Sequence, residues 1–199
     1  MYIPRHFEEK NPSFVEQFIG EYPFAELISV QKNGRLVATH IPFILIETGP
    51  ELVLGGHISA ANTSHNGAED QEVMAIFREP HAYVSPKYYD QKESVPTWNY
   101  AAVHLYGRLV WIDESQEKHE LMRLSVAKFE SDYQSIFESL SSDYLEKMLK
   151  GIRGFYFKVN HMEAKRKLSQ NKNENERSRI ADGLADGNEL SQKISSMMR

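Results

Sequence analysis

The first 113 residues consist of short apolar runs separated by turn residues, and this spacing constrains the fold more than any other feature of the sequence. Two runs, residues 24–31 and 35–40, flank the dipeptide Asn33-Gly34, which favours a tight hairpin turn. Further runs, separated by Gly-Pro, Asn-Gly and Glu-Pro turns, cover residues 43–47, 51–55, 73–78, 81–85 and 101–113. Short strands at this spacing predict a small antiparallel β-barrel.

Helical patterns flank this series of strands. Asn11 followed by Pro12 predicts the start of a short helix, which Gly20 ends. Beyond Asp113 the apolar residues recur at helical spacing as far as Gly151. Residues 152–159 then return to a strand pattern, and we expect this strand to close the barrel. The predicted fold class is therefore mainly β with flanking helices.

The residues after position 162 form a separate segment, rich in Lys, Asn, Glu and Ser. Its regularly spaced apolar residues are Ile180, Leu184, Leu190, Ile194 and Met197. We expect residues 1–162 to form the barrel domain and residues 163–199 to form a helical tail that needs a partner surface, such as that of a dimer. A frayed terminus is the alternative, because a small amphipathic helix is marginally stable by itself.

Composition excludes several classes of protein. The 199 residues contain no cysteine, which excludes disulfides, thiolate-bound zinc, iron–sulfur clusters and a cysteine nucleophile, and agrees with a reducing compartment. No signal-peptide pattern and no long apolar stretch is visible, so a soluble cytoplasmic protein without membrane contact is expected. The net charge of −5 gives no general attraction to nucleic acid, so DNA binding would need a local basic patch.

Two polar clusters are candidates for ligand binding. The glycine pair at 55–56 lets a backbone approach a ligand, and His57, Ser59 and Asn62 could direct donors at an anion such as a phosphate. An ordinary glycine-rich turn is the alternative. Trp98 and Asn99 offer a flat ring and an amide suited to a planar ligand, although Trp98 taken alone is more typical of a core or dimer-interface residue.

Other kinds of site have little support. The eight histidines include no pair at metal-binding helical spacing, so no metal site is predicted. No nucleophile elbow, nucleotide-binding glycine loop or catalytic residue can be identified. The basic run of residues 165–167, followed by Ser169 and Gln170, has three interpretations: a solvated helix end, an anchor for a cofactor phosphate, or a nucleic-acid contact.

Six stretches resemble motifs of the PaiB family of FMN-binding negative transcriptional regulators. They are residues 1–7 (MYIPRHF), 38–43 (ATHIPF), 56–62 (GHISAAN), 80–86 (PHAYVSP), 95–100 (VPTWNY) and 167–171 (KLSQN). The family is similar in fold to the split barrels of flavin reductases and pyridoxamine-phosphate oxidases. Thr63 after Asn62 and Glu79 before Pro80 depart from its usual pattern.

The resemblance implies an FMN-binding split barrel, a homodimer with cofactor sites near the subunit interface, and repression of degradative protease production and sporulation. Direct DNA association is expected to be weak or indirect. A flavin-dependent oxidoreductase and a haem-binding or haem-degrading barrel are the alternatives.

Combining the resemblance with the residue patterns gives a set of cofactor-binding residues. We expect one wall from Thr39, His40 and Pro42, phosphate contacts from His57, Ser59 and Asn62, and closure by Trp98 and Asn99. The tail is expected to add Lys167, Ser169 and Gln170.

Overall fold

The computed structural model describes all 199 residues. Its nine principal N-terminal elements are β1 (Glu8–Glu9), α1 (Pro12–Glu21), β2 (Phe24–Val30), β3 (Leu36–Pro42), β4 (Ile44–Glu47), β5 (Val53–Ser59), β6 (Val73–Val84), β7 (Thr97–Ile112) and α2 (Ser115–Phe129). They are followed by α3 (Gln134–Ser139), α4 (Ser142–Leu149), β8 (Ile152–Lys167), α5 (Glu174–Ala185) and α6 (Glu189–Met198). None of the helices combines the length and the apolar character needed to cross a membrane.

The eight strands belong to one sheet. Hydrogen-bonded neighbours follow the order β3-β2-β6-β7-β8-β5-β4, and β1 pairs with β8. The β2–β3, β2–β6, β4–β5, β5–β8 and β1–β8 pairings are antiparallel. Strands β2 and β3 form the hairpin that Asn33-Gly34 predicted, and Gly34 has the positive φ of 83° that such turns favour. The predicted class, mainly antiparallel β-structure with flanking helices, is confirmed.

Strand β6 corrects one detail of the sequence prediction. Residues 73–78 and 81–85 were expected to be two strands separated by a Glu-Pro turn, but the strand continues through Pro80. Up to Phe77 the odd-numbered side chains are buried, and from Pro80 onward the even-numbered ones are. A single change of phase therefore keeps the apolar side chains of both halves of the strand buried.

The chain divides into two compact units. The first unit contains residues 1–15, 77–104 and 163–199, and the second contains residues 16–76 and 105–162. Strands β6, β7 and β8 each contribute residues to both. In the second unit the buried rings of Phe43, Phe155 and Phe157 pack together, with centroids 5.9 and 6.4 Å from that of Phe43.

The C-terminal helices pack within the first unit. Asn173 and Asn188 cap α5 and α6, since their side-chain oxygens accept from Glu176 N and Ser191 N at 2.8 and 3.0 Å. The helices, β6 and the bend after β8 form one apolar cluster, whose buried members are Ala82, Val84, Leu168, Ile180, Ala181, Leu184, Ile194 and Met198. The apolar face of the tail is therefore covered by the same chain. The expected boundary at residues 162/163 falls inside β8, which runs to Lys167.

Candidate functional site

The first unit contains a cavity of about 790 Å³. Cofactor pockets are usually about 300–1,000 Å³ in volume, so this space suits a nucleotide-sized ligand. Its lining residues are His6, Phe7, Tyr89, Gln91, Glu93, Ser94, Val95, Pro96, Thr97, Asn99, Lys167, Ser169, Asn171 and Lys172. Three of the six stretches that carry the family resemblance thus meet at one cavity: residues 1–7, 95–100 and 167–171.

Strand β7 sends its predicted site residues in opposite directions. Asn99 is fully buried and lines the cavity together with Thr97. Trp98 lies between them, and because successive side chains of a strand point to opposite faces it is not part of this lining. Trp98 is 51% exposed, and the centroid of its ring lies 5.5 Å from that of His81 and 6.1 Å from that of Tyr83. The cavity therefore contains Asn99 without Trp98.

The turn after β8 is tied to β7 by polar contacts. Ser169 Oγ donates to Asn99 Oδ1 at 3.1 Å, and Asn99 Nδ2 contacts Met198 Sδ at 3.5 Å. Ser169 has a left-handed φ of 60°, a conformation that non-glycine residues adopt at some cost and that its contacts here maintain. Gln170 braces the same turn, since its Oε1 accepts from Leu168 N at 2.7 Å. Gln170 therefore supports the turn that carries Ser169, but its own side chain does not line the cavity.

The ammonium groups of two lysines lie at the cavity. Lys167 Nζ donates to Trp98 O at 2.7 Å and to Thr97 Oγ1, and burial, with the nearby charge of Lys165, lowers its pKa. Lys172 Nζ lies 3.7 Å from the centroid of the Tyr89 ring. Glu93 is the only carboxylate among the lining residues. The lining therefore favours a ligand with an anionic group.

The second unit brings together two other predicted residues. Thr39 Oγ1 lies 2.7 Å from His65 Nε2 and accepts from Asn62 Nδ2 at 3.3 Å. Ser29 Oγ lies 2.8 Å from His65 Nδ1. His65 is only 1% exposed, and burial lowers its pKa, so the neutral ring is favoured. His65 could not be identified from the sequence, because nothing in its turn indicated a buried hydrogen-bonding partner.

The remaining predicted residues lie in the second unit with separate contacts. His57 is half-buried in β5, and burial lowers its pKa. Ser59 and Asn62 close a turn in which Asn62 N donates to Ser59 O at 2.9 Å. His40 Nε2 is 3.6 Å from Glu26 Oε1, and Pro42 is exposed at the end of β3.

The glycine pair before His57 makes room for protein side chains. A Cβ at Gly55 would lie 2.5 Å from Leu121 Cδ1, and one at Gly56 would lie 2.7 Å from Phe155 Cζ. Both separations are far shorter than van der Waals contact, so a side chain at either position would have to displace a buried neighbour within the second unit. This packing accounts for the pair without a ligand.

Solved structures with the same architecture identify the fold. The chain is similar to the flavocytochrome Anf3 from Azotobacter vinelandii, with a TM-score of 0.63 and 15% identity, covering 83% of this chain and 72% of that one. It is also similar to an FAD and heme binding protein from Mycobacterium smegmatis, with a TM-score of 0.63 and 13% identity over 80% and 73% of the two chains. These similarities show that the fold is a split barrel.

Sequence relatives narrow the class to a family. The family model described as "Putative FMN-binding domain" matches residues 1–161. The chain is 34% identical over 187 residues to protease synthase and sporulation protein PAI 2 of Bacillus subtilis, covering 92% of this chain and 89% of that protein. It is also 26% identical to an uncharacterized protein of Emericella nidulans, over all of this chain and 96% of that one. The chain belongs to the PaiB family of FMN-binding-domain proteins.

Proposed function

We propose that this protein is a cytoplasmic homodimer that binds FMN and represses protease production and sporulation. The observation that carries the proposal is the meeting of residues 1–7, 95–100 and 167–171 at one cavity of about 790 Å³ in the first unit. The family's FMN-binding description supports the cofactor, and the name of the Bacillus subtilis relative supports the regulatory role.

The lining provides the contacts that FMN would require. The phosphate carries nearly two negative charges at neutral pH, and desolvating it without charged donors would be costly. Lys167 Nζ donates to Thr97 Oγ1 and Trp98 O and keeps a third N–H for the phosphate, while Lys172, 3.7 Å from Glu176 Oε1, lines the same cavity. Phe7, Tyr89 and Pro96 offer apolar surface for the planar ring system, and FMN when bound would supply redox chemistry. Ser169 and Asn99 hold each other in a fixed arrangement beside the lysines.

An exposed apolar face supports the proposed homodimer. Phe24, Val30 and Leu36 are 63%, 39% and 68% exposed. The register pairs Phe24 with Pro42 and Val30 with Leu36, so these side chains share one face of the β2–β3 hairpin. Exposed apolar patches of this kind are typical of protein interfaces, and a second copy would bring the same face to a twofold contact.

The contacts of the basic run support an indirect regulatory role. Lys165 is only 7% exposed, and its Nζ donates to Tyr2 O at 3.1 Å. Arg166 Nη1 donates to Glu9 Oε2 at 3.0 Å. Residues engaged in this way are poorly available to DNA phosphates, and the chain as a whole carries a net charge of −5. We therefore propose that repression acts mainly through a partner, with weak DNA association at most.

A flavin-dependent oxidoreductase is the second candidate. The two similar solved structures are named for flavin and haem binding, and a flavin can transfer hydride without a protein acid or base. Turnover of a reduced nicotinamide with an added electron acceptor separates this candidate from the regulator. A haem-binding barrel would instead give an intense absorption band with haem, weakened by His57→Ala or His81→Ala.

Titration of the apo-protein with FMN, followed by flavin fluorescence, tests the proposed cofactor. We expect saturable binding by the wild type and at least about tenfold weaker binding by Lys167→Met, because hydrogen bonds to charged groups contribute about 1.5–3 kcal/mol. Lys10→Met is the matched control, since that lysine is on the surface of the same unit with a side chain 77% exposed. Absence of binding by the wild type would contradict the proposal.

A parallel titration of Trp98→Ala distinguishes two positions for the ring system. Unchanged affinity in this variant, with weakened binding by Lys167→Met, would place the flavin in the cavity. Loss of affinity in Trp98→Ala alone would place it on the exposed aromatic face formed with His81 and Tyr83.

A further inference from the structure

The segment between β6 and β7 forms one wall of the cavity. This wall loop, residues 85–96, supplies Tyr89, Gln91, Glu93, Ser94, Val95 and Pro96 to the lining. Its own side-chain bonds are local: Ser85 Oγ accepts from Lys87 N at 3.3 Å, and Ser94 Oγ donates to Gln91 O at 2.7 Å. Such bonds order the turns within the loop, but they do not fix the loop against the opposite wall.

Helix α5 provides that fixation. Arg179 Nε donates to Tyr88 O at 2.9 Å, and Arg179 Nη2 forms an ion pair with Asp90 Oδ1. Asp90 Oδ2 also accepts from Asn173 Nδ2 at 3.0 Å, while Asp90 N donates to Glu176 Oε1 at 3.0 Å. The hydrogen bonds from Asn173 and Arg179 lower the pKa of Asp90. Side chains from the cap and first turns of α5 therefore hold both the backbone and the side chains of residues 88–90.

Packing reinforces these polar contacts. A Cβ at Gly183 would lie 2.2 Å from Tyr88 Oη and 2.3 Å from Tyr88 Cζ, so the Tyr88 ring lies directly against the α5 backbone. An alanine would favour a helix by about 1 kcal/mol relative to glycine in an exposed position, so helix propensity does not explain the glycine. Close approach of the wall loop explains it.

We propose that α5 is a positioning element of the cofactor site, which holds the wall loop in the conformation that completes the cavity. The inference rests on the proposed binding of FMN in this cavity. The lining residues between positions 167 and 172 already lie beyond residues 1–161, the part matched by the family's domain model, and the inference adds Arg179 of α5 to them. The tail is then part of the binding site, and Arg179 acts on the ligand through the loop without touching it.

Two full-length variants test the inference by different routes. Arg179→Ala removes the bonds to Tyr88 and Asp90, and Gly183→Ala pushes the Tyr88 ring away without changing charge. Arg199→Ala is the matched control, because Arg199 forms another Arg–Asp pair on the tail, 2.7 Å from Asp182, that does not involve the wall loop. The variants are compared by FMN affinity and, without ligand, by amide hydrogen exchange and by tryptic cleavage after Lys87 and Lys92.

We expect faster exchange and cleavage in the wall loop of Arg179→Ala and Gly183→Ala, with protection of α5 and α6 retained. If the released loop is in the binding conformation about a tenth of the time, the Kd for FMN rises about tenfold. Arg179→Lys should restore part of the affinity. Arg199→Ala should match the wild type in every measurement.

The outcomes separate this inference from the proposed function. Wild-type FMN binding, with unchanged affinity and loop protection in both variants, would overturn the inference and leave the proposed function intact. Absence of wild-type binding would overturn the proposed function, and with it the assignment of α5 to a cofactor site. Loss of protection throughout α5 and α6 in both variants would also count against it, because the effect would then be general unfolding of the tail.

Discussion

Replacement of His65 with leucine removes the centre of the buried polar network in the second unit. Ser29 Oγ loses its partner at 2.8 Å, and Ser29 is only 3% exposed, so water cannot easily replace the ring. An unsatisfied buried polar group costs about 1–3 kcal/mol. Thr39 keeps the bond from Asn62 and contributes less. We therefore expect His65→Leu to lower the free energy of unfolding by about 2 kcal/mol.

Urea unfolding followed by tryptophan fluorescence measures this loss. Trp111 lies in the second unit, where its Nε1 donates to Glu69 Oε2 at 2.7 Å, and it reports on the same unit as His65. With an m-value of about 2 kcal/mol per molar urea, the midpoint should fall by about 1 M. Ser64→Ala is the neighbouring control, because Ser64 uses backbone groups in its bonds to Gln31 and Asn62.

A double variant tests the proposed cause of the loss. Adding Ser29→Ala to His65→Leu removes the unsatisfied hydroxyl, so the double variant should be more stable than His65→Leu alone. Surface substitutions usually change the free energy of unfolding by up to about 0.5 kcal/mol, so a decrease smaller than this in His65→Leu would refute the proposed role of the network. Further destabilisation when Ser29→Ala is added would also refute it.

Three further expectations concern pH, backbone packing and assembly. Burial is the principal cause of lowered pKa values at His57, His65 and His104. Between the ordinary pKa of about 6.5 and the lower folded values, the unfolded chain binds more protons, so the free energy of unfolding should decrease as the pH is lowered, by up to about 1.4 kcal/mol per pH unit for each histidine. Equal urea midpoints at pH 7.5 and 5.5 would contradict this. Gly107→Ala would place a Cβ 2.0 Å from Lys158 O, so this variant should lose about 3 kcal/mol of stability. A Cβ at Gly20 would have no atom nearer than 3.7 Å, so Gly20→Ala should lose none, and calorimetry compares the two variants. Leu36→Asp should shift the mass in light scattering from dimer to monomer, and a wild-type mass that is monomeric at every concentration would rule out the proposed interface.

Features that depend on neighbouring residues could be predicted from the sequence. Asn33-Gly34 determined the β2–β3 hairpin, and Asn11 with Pro12 determined the start of α1, because turn and cap preferences act over a few residues. The spacing of Ile180, Leu184 and Ile194 likewise indicated helices with a buried face. These signals predicted the fold class and much of the element order.

Long-range packing determines which side chains share a site, so this part of the molecule could be known only from the tertiary structure. Trp98 and Asn99 are adjacent in sequence, yet strand alternation separates them. His65 meets Ser29 and Thr39 only because β2, β3 and a distant turn pack together, and Arg179 reaches Tyr88 across 91 positions of sequence. The sequence therefore determined the strands and helices, whereas folding determined the cavity, because contacts between distant residues leave no local pattern in the chain.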